Sequence, residues 1–322
     1  IDLRKNPDNL ACGLNLTEAT SKSGAMTGIF NSIDHTVPPN AGSFRCVSIL
    51  LREGCIVGIP KHPYSCSLGT SNICDRLETA VVQAFAKLGE GFGMAECGPL
   101  LPPATGVISG YDERKKESFV NEIFLYHTGA GASPEADGWL TLTGMGSAGL
   151  CLLDSVELDE LRFPLKVYRQ QIQKNSEGAG RRRGSPGAFV EFGPFNSNIK
   201  VAYASDGSIY PANGVRGGGK ASKAKQYKLD KNGVKTQLPL VHEVELFKDE
   251  RIVSITQPGG GYGHPFEREL DRVKKDFDEG WISKNRAFNV YGVKFFKNGE
   301  IDFESTKIKR EYLKKESINY EK

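Results

Sequence analysis

The 322-residue sequence lacks any strong excess of one charge: 42 basic and 39 acidic side chains leave a formal net charge of +3. No global field steers such a chain toward nucleic acid or an anionic membrane. It also lacks an apolar run near the ~18 residues that a membrane span needs. The first residues, Ile1-Asp2-Leu3-Arg4-Lys5, show neither the basic-then-apolar pattern of a signal peptide nor an initiating Met, so residue 1 is expected not to be the natural start. Paired cysteines are missing as well. The seven present (Cys12, Cys46, Cys55, Cys66, Cys74, Cys97 and Cys151) form an odd set without a CxxC pair. That fits neither a disulfide framework nor a zinc ribbon, and points to reduced thiols in a cytoplasmic protein. Cys66, beside His62 and Ser65, is the cysteine to test as a nucleophile. The five histidines (His35, His62, His127, His242 and His264) make no HExxH or other i, i+4 pair, so no metal site is legible within this chain alone.

What is present is a clear order of elements. Asn15–Phe30 carries cap residues and an apolar stripe, which predicts a helix. Phe44–Leu51 reads as a strand, and Ser71–Leu88 as a second helix with Ile73, Leu77, Val81, Val82, Phe85 and Leu88 on one face. Gly91–Gly110 reads as irregular loop. The period then shortens toward two, predicting strands at Phe119–His127, Leu165–Gln173, Phe189–Phe192, Ile199–Tyr203 and Val244–Phe247. Asn232-Gly233 marks a hairpin between Gln226–Leu229 and Val234–Leu238. Phe266, Leu270, Val273 and Phe277 predict a helix over Pro265–Asp278, with a second short helix capped by Ser283. The charged tail from Lys307 to Lys322 is expected to be peripheral. The class expected is α+β, with helices toward both ends and a β-rich, glycine-rich middle. The division expected is 1–110, helical and strand, followed by 111–322, β-rich and closing on a glycine loop and helix.

Gly259-Gly260-Gly261, ahead of Tyr262-Gly263-His264-Pro265, is the sharpest local motif. Glycine lets another surface approach closely, and a glycine loop feeding a helix N-terminus collects unpaired amides that suit an anion. No Lys-Ser/Thr follows as in a P-loop, and no strand-plus-acid context supports a dinucleotide site. Arg181-Arg182-Arg183, between glycines, lacks the interleaved aromatics of an RNA-binding element.

Several segments resemble the hydantoinase B family when read together. Asp2-Leu3-Arg4-Lys5-Asn6-Pro7-Asp8, Asn40-Ala41-Gly42-Ser43-Phe44-Arg45 and Gly58-Ile59-Pro60-Lys61-His62-Pro63 resemble its DLRDNPD, NAGSFR and GIPRHP stretches. Asn175–Gly184 resembles its DSGGAGRRRGG element. Gly259–Pro265 with Arg268, Ser283 and Tyr291-Gly292-Val293 resembles its closing signature, with His264 standing where the family has Asp. His35 falls near another position that is usually acidic. The matches run in order along nearly the whole chain.

The resemblance implies a subunit, or its C-terminal portion, that works with a hydantoinase A-like ATPase. That partner binds ATP and Mg2+ and phosphorylates the substrate oxygen. The B-like component then opens a cyclic amide such as a hydantoin or 5-oxoproline. Ketone carboxylation, as in acetone and acetophenone carboxylases, and a purely structural role completing a split fold are the alternatives. Family members are longer, so a separate or missing N-terminal portion is expected to carry most ligands of a divalent metal, Zn2+ or Mn2+. Within this chain the residues singled out are Asn40 and Arg45 for orienting polar groups and His62 as proton carrier or ligand. Arg181 and Arg183 are assigned to phosphate, and Gly259, Gly260 and Gly261 to a wall, a subunit contact or a phosphate cradle.

Overall fold

The computed structural model describes residues 1–142, 144–146 and 151–320. Near the N-terminus, α1 (Glu18–Phe30) begins where the Thr17 hydroxyl accepts from the Thr20 amide. It packs on α3 (Ile73–Phe85) through a seam of small residues, Ser21, Gly24, Ala25 and Gly28. A Cβ at Gly28 would lie 2.6 Å from the Cβ of Val81, so glycine sets how closely the helices approach. Leu16, Ala25, Ile29, Leu77 and Val81 fill the contact. Leu88, expected on the buried face, is 67% exposed, because the helix ends at Phe85 in a 3-10 turn that swings it outward.

The strand expected over Phe44–Leu51 does not form. Asn40 instead caps the single helical turn α2 (Ala41–Phe44), its side chain accepting from the amides of Gly42 and Ser43. Leu50 alone bridges to Asp2. A local Asx cap competes with extended structure when no neighbouring strand offers a ladder.

Two antiparallel sheets make up the middle. One has the order β2 (Glu117–Glu122), β1 (Val107–Asp112), β5 (Ile199–Ala204), β8 (Val241–Leu246). The other runs β3 (Leu165–Ile172), β4 (Ala188–Pro194), β9 (Arg251–Ile255), β6 (Lys225–Leu229), β7 (Lys235–Gln237). Alternate residues turn inward, Ile199, Val201 and Tyr203 from one sheet and Ala188, Val190 and Phe192 from the other, and both sets join one buried cluster. Period-two patterning therefore becomes a sheet-on-sheet core. The β6–β7 hairpin turns at Gly233, with φ of +80°. Strand β1 corrects the loop expected through Gly110: Ser109 and Gly110 are poor strand formers, but β2 and β5 pair with them from both sides. The strand expected over Phe119–His127 stops at Glu122. Strand β9 was not expected.

Glycine loops from four stretches of the chain interlock beside the sandwich. The amides of Gly259, Gly260 and Gly261 donate to the carbonyls of Ser185, Glu96 and Gly219, and their own carbonyls accept from Gly178, Ala132 and Val215. A Cβ at these positions would overlap the carbonyl oxygens of Ala130, Asn213 and Ala179. The triple glycine is thus a buried layer of backbone packed on backbone.

The C-terminal helices close over this layer. The helix expected over Pro265–Asp278 is divided into a 3-10 turn at Pro265–Glu267 and α5 (Leu270–Asp278). Arg268 between them is extended, and its side chain, 1% exposed, turns inward to Asp137 and Asp276. Ser283 caps α6 (Lys284–Asn289), and its amide donates to the Asn175 side chain. Glu177 accepts from Arg286 and from the Tyr291 hydroxyl. Of the charged tail, residues 307–320 belong to α7 (Phe303–Tyr320), and 321–322 lie outside the described residues; α7 holds on through Arg310, whose Nε donates to the Tyr291 carbonyl and Nη2 to that of Arg268. The architecture is α+β, helices at both ends flanking the sandwich. No helix among the described residues is long and apolar enough to cross a membrane.

Gly259→Ala should cost about 3 kcal/mol or more, since the overlapping carbonyl is backbone and cannot rotate away. Gly233→Ala, in an open turn, should cost only about 1–2 kcal/mol from its left-handed φ. Arg268→Ala leaves Asp137 and Asp276 buried without their shared cation and should cost about 3–5 kcal/mol. Urea denaturation of the three variants against the parent chain checks the ranking.

Candidate active site

Between α1, α3 and the outgoing end of β2 lies a cavity of about 740 Å³. Helix α3 brings Cys74, Asp75 and Glu78 to it, because spacings of three and four residues share a helix face. Helix α1 contributes Thr20, Ser23 and Thr27, and the chain after β2 contributes Phe124, His127 and Thr128.

Glu78 is 5% exposed. Its Oε1 accepts from the Cys74 thiol at 3.5 Å, while its Oε2 has no hydrogen-bond partner. Burial, reinforced by the neighbouring charge of Asp75, pushes its carboxyl up to about 7. Burial, with the Glu78 charge adding to it, likewise drives the Cys74 thiol to about 12 and keeps it a thiol. Asp75 is committed elsewhere: Arg76 pairs with it at 2.5 Å, and its Oδ1 accepts from the Met145 amide. His127, 1% exposed, has its pKa lowered by burial against the opposing effect of a hydrogen bond to the Leu152 carbonyl. Its Nε2 has no partner. A carboxyl that titrates near neutrality and an imidazole whose pKa burial lowers thus line one cavity, residue types suited to acid–base chemistry.

The residues singled out from sequence lie elsewhere. Asn40, Arg45, His62, Arg181, Arg183, Gly259, Gly260 and Gly261 are all absent from the lining. Asn40 is the α2 cap, and Arg45 and His62 are exposed. Arg181 pairs with Glu90 at 3.0 Å. Arg183 is buried, with Nε 3.0 Å from Asp276 and its guanidinium 4.6 Å from the Trp281 ring centroid. A guanidinium so placed holds the C-terminal helices and has no free face for phosphate. The triple glycine is no phosphate cradle either, because every one of its amides is spent on a carbonyl. Cys66 is half-buried and also outside the lining. Asp75, Glu78 and His127 escaped the sequence reading. The signal available was two carboxylates three residues apart, on the same helix as an apolar stripe. Among the described residues, no group of three or more His, Cys, Asp or Glu side chains is placed to hold a metal ion.

The pH dependence of stability follows from Glu78. Its folded pKa is raised above the unfolded value of 4.5, so its contribution is fully present below about pH 4.5 and lost as pH rises through about 7. The loss is on the order of 3 kcal/mol at most. Asp159, raised to about 6 by burial, adds a similar slope at lower pH. Urea titrations between pH 4 and 8 should show the Glu78→Gln chain losing less stability than the parent over this window.

Comparison with known proteins places this geometry. The profile of the family described as hydantoinase B/oxoprolinase matches residues 1–265. The beta subunit of caprolactamase from Pseudomonas jessenii is 27% identical over 320 residues, covering 94% of this chain and 53% of that subunit. The crystal structure of the ATP-dependent caprolactamase from the same organism superposes with a TM-score of 0.82 at 24% identity, over 95% of this chain and 53% of that one. A nucleotide-free structure of acetone carboxylase superposes with a TM-score of 0.76 at 18% identity, over 95% and 45% of the two chains. These likenesses show a shared fold, and the chain spans about half the length of the caprolactamase subunit.

Proposed function

The chain belongs to the hydantoinase B/oxoprolinase family, and on that footing we propose that it is a hydantoinase B-type subunit, or the C-terminal part of one, of a cytoplasmic ATP-dependent cyclic amidohydrolase. A hydantoinase A-like subunit, holding ATP and Mg2+, phosphorylates the carbonyl oxygen of the ring, since an amide oxygen is a poor leaving group until activated. The observation that carries this assignment is the family match over residues 1–265, which takes in every residue lining the cavity.

In the cavity, water adds to the activated ring carbon as its proton passes to Glu78. The ring nitrogen then leaves with a proton, giving an open-chain acyl phosphate. A second water converts that species to carboxylate and inorganic phosphate. A base whose pKa lies near the working pH suits the proton transfer. The positive charge that the phosphoryl group needs comes from the partner, because no lysine or arginine is among the described lining residues. The described residues do not fit a metal centre of their own, and no step is routed through one. The exposed Arg45 and His62 are assigned to the face that meets the partner and any separate N-terminal portion.

The chain purified with its A-like partner should hydrolyse ATP only when a cyclic amide is supplied, with ring-opened product in step. Glu78→Gln should lower that rate about 100-fold while the complex still assembles. ATP turnover that depends instead on ketone plus bicarbonate would identify a carboxylase. A normal rate in Glu78→Gln, with surface variants disturbing only assembly, would favour the structural role.

A further inference from the structure

In an Asn-Gly pair the glycine nitrogen can reach the preceding side-chain amide readily, because no Cβ obstructs it. The chain has three such pairs, Asn213-Gly214, Asn232-Gly233 and Asn298-Gly299. The fold treats them differently.

Asn213 is built into the glycine layer. Its backbone amide and its Nδ2 both donate to Oε2 of Glu96, at 2.9 and 2.8 Å. Gly214 is packed so closely that a Cβ there would lie 2.2 Å from the Gly218 carbonyl oxygen. Asn298 is exposed, but its Oδ1 accepts from the Glu300 amide. The Phe296 amide donates to the Glu300 carbonyl across the same turn, and Phe295 and Ile301, which bridge below it, pack in the C-terminal core.

Asn232 stands at the tip of the β6–β7 hairpin, where residues 231–237 are all exposed. Among the described residues nothing bonds its side-chain amide, and a Cβ at Gly233 would have no heavy atom within 4 Å. The Gly233 amide donates to the Asp230 carbonyl, a bond that opens before the nitrogen can react. What closes the turn is Asp230, whose Oδ1 accepts from the amides of Asn232 and Val234, and β7, an outermost strand of three exposed residues. Such an end opens at a smaller free energy than a turn anchored in a core.

We infer that Asn232 is a modification site, at which the chain converts itself to aspartate and isoaspartate. The Gly233 nitrogen loses its proton to hydroxide and bonds to the Asn232 side-chain carbonyl carbon. The bond from that carbon to Nδ2 breaks, and ammonia leaves with a proton from water. Water then opens the resulting succinimide at either carbonyl, leaving a carboxylate where a neutral amide stood. The reaction needs neither ATP nor another subunit. Both products place a charge two residues from Asp230, and isoaspartate lengthens the main chain of the turn, so the β6–β7 pairing loosens.

The full chain is incubated in mildly alkaline buffer at physiological temperature, then digested and its peptides weighed. The Asn232 peptide should gain the amide-to-acid mass difference at least about 10-fold faster than those holding Asn213 and Asn298. That ratio corresponds to about 1.4 kcal/mol of difference in opening. In urea, where no turn is held, the three rates should converge. Asn232→Gln, which would have to close a larger ring, should remove the main acidic species seen on isoelectric focusing. Faster conversion of Asn213 or Asn298, equal rates in the folded chain, or an acidic species that persists in Asn232→Gln would each overturn the inference. So would an unchanged spread of rates in urea, since the fold would then not be the cause. Aspartate without isoaspartate would overturn it too, because the succinimide opens to both.

Discussion

Gly259, Gly260 and Gly261 sit where three carbonyl oxygens from other segments leave no room for a Cβ. Between them the three glycines' amides and carbonyls bond to four stretches of chain, so this short run joins the loops at 95–98, 129–132, 178–185 and 213–219. Backbone packed on backbone gains its order from hydrogen bonds rather than from side-chain burial, and only glycine permits that spacing. The sandwich and both helical ends are positioned by what this layer holds together.

A buried ionic cluster fastens the C-terminal helices to the layer. Burial alone would raise the Asp137 carboxyl, but hydrogen bonds and charge from Arg268 outweigh it and hold it at about 2. Arg183, Arg268 and Asp276 complete the cluster with almost no solvent contact. Such a cluster adds little net stability over an apolar core, yet it tolerates no missing member. That asymmetry explains why Arg268 interrupts a helix whose apolar pattern would otherwise run unbroken.

The segments most recognisable in sequence turn out to bind one another. Ser283 meets Asn175, Tyr291 meets Glu177, and Arg182 bridges to Tyr262 through paired backbone bonds. At the other end Asn40 caps its own helical turn, and Arg52 reaches Asp8. The family signature is therefore largely a set of architectural contacts. Glu78 sits apart from it, on a helix face whose pattern looked like ordinary amphipathic packing, and His127 lies on the chain after β2.

Periodicity carried the helices α1, α3 and α5 and most strands, because the repeat of inward-facing residues is written along each element itself. It missed β1 and β9, and wrongly extended a strand through Phe44–Leu51, because ladder partners distant in sequence decide whether an ambiguous stretch pairs. The sequence by itself determined the class of fold, the family and the need for glycine at 259–261. Tertiary structure alone decided that Glu78 and His127 share a cavity and that Arg183 is spent on Asp276. The physical reason is that pKa, burial and hydrogen-bond satisfaction are properties of surroundings, and those surroundings are assembled from segments far apart in the chain.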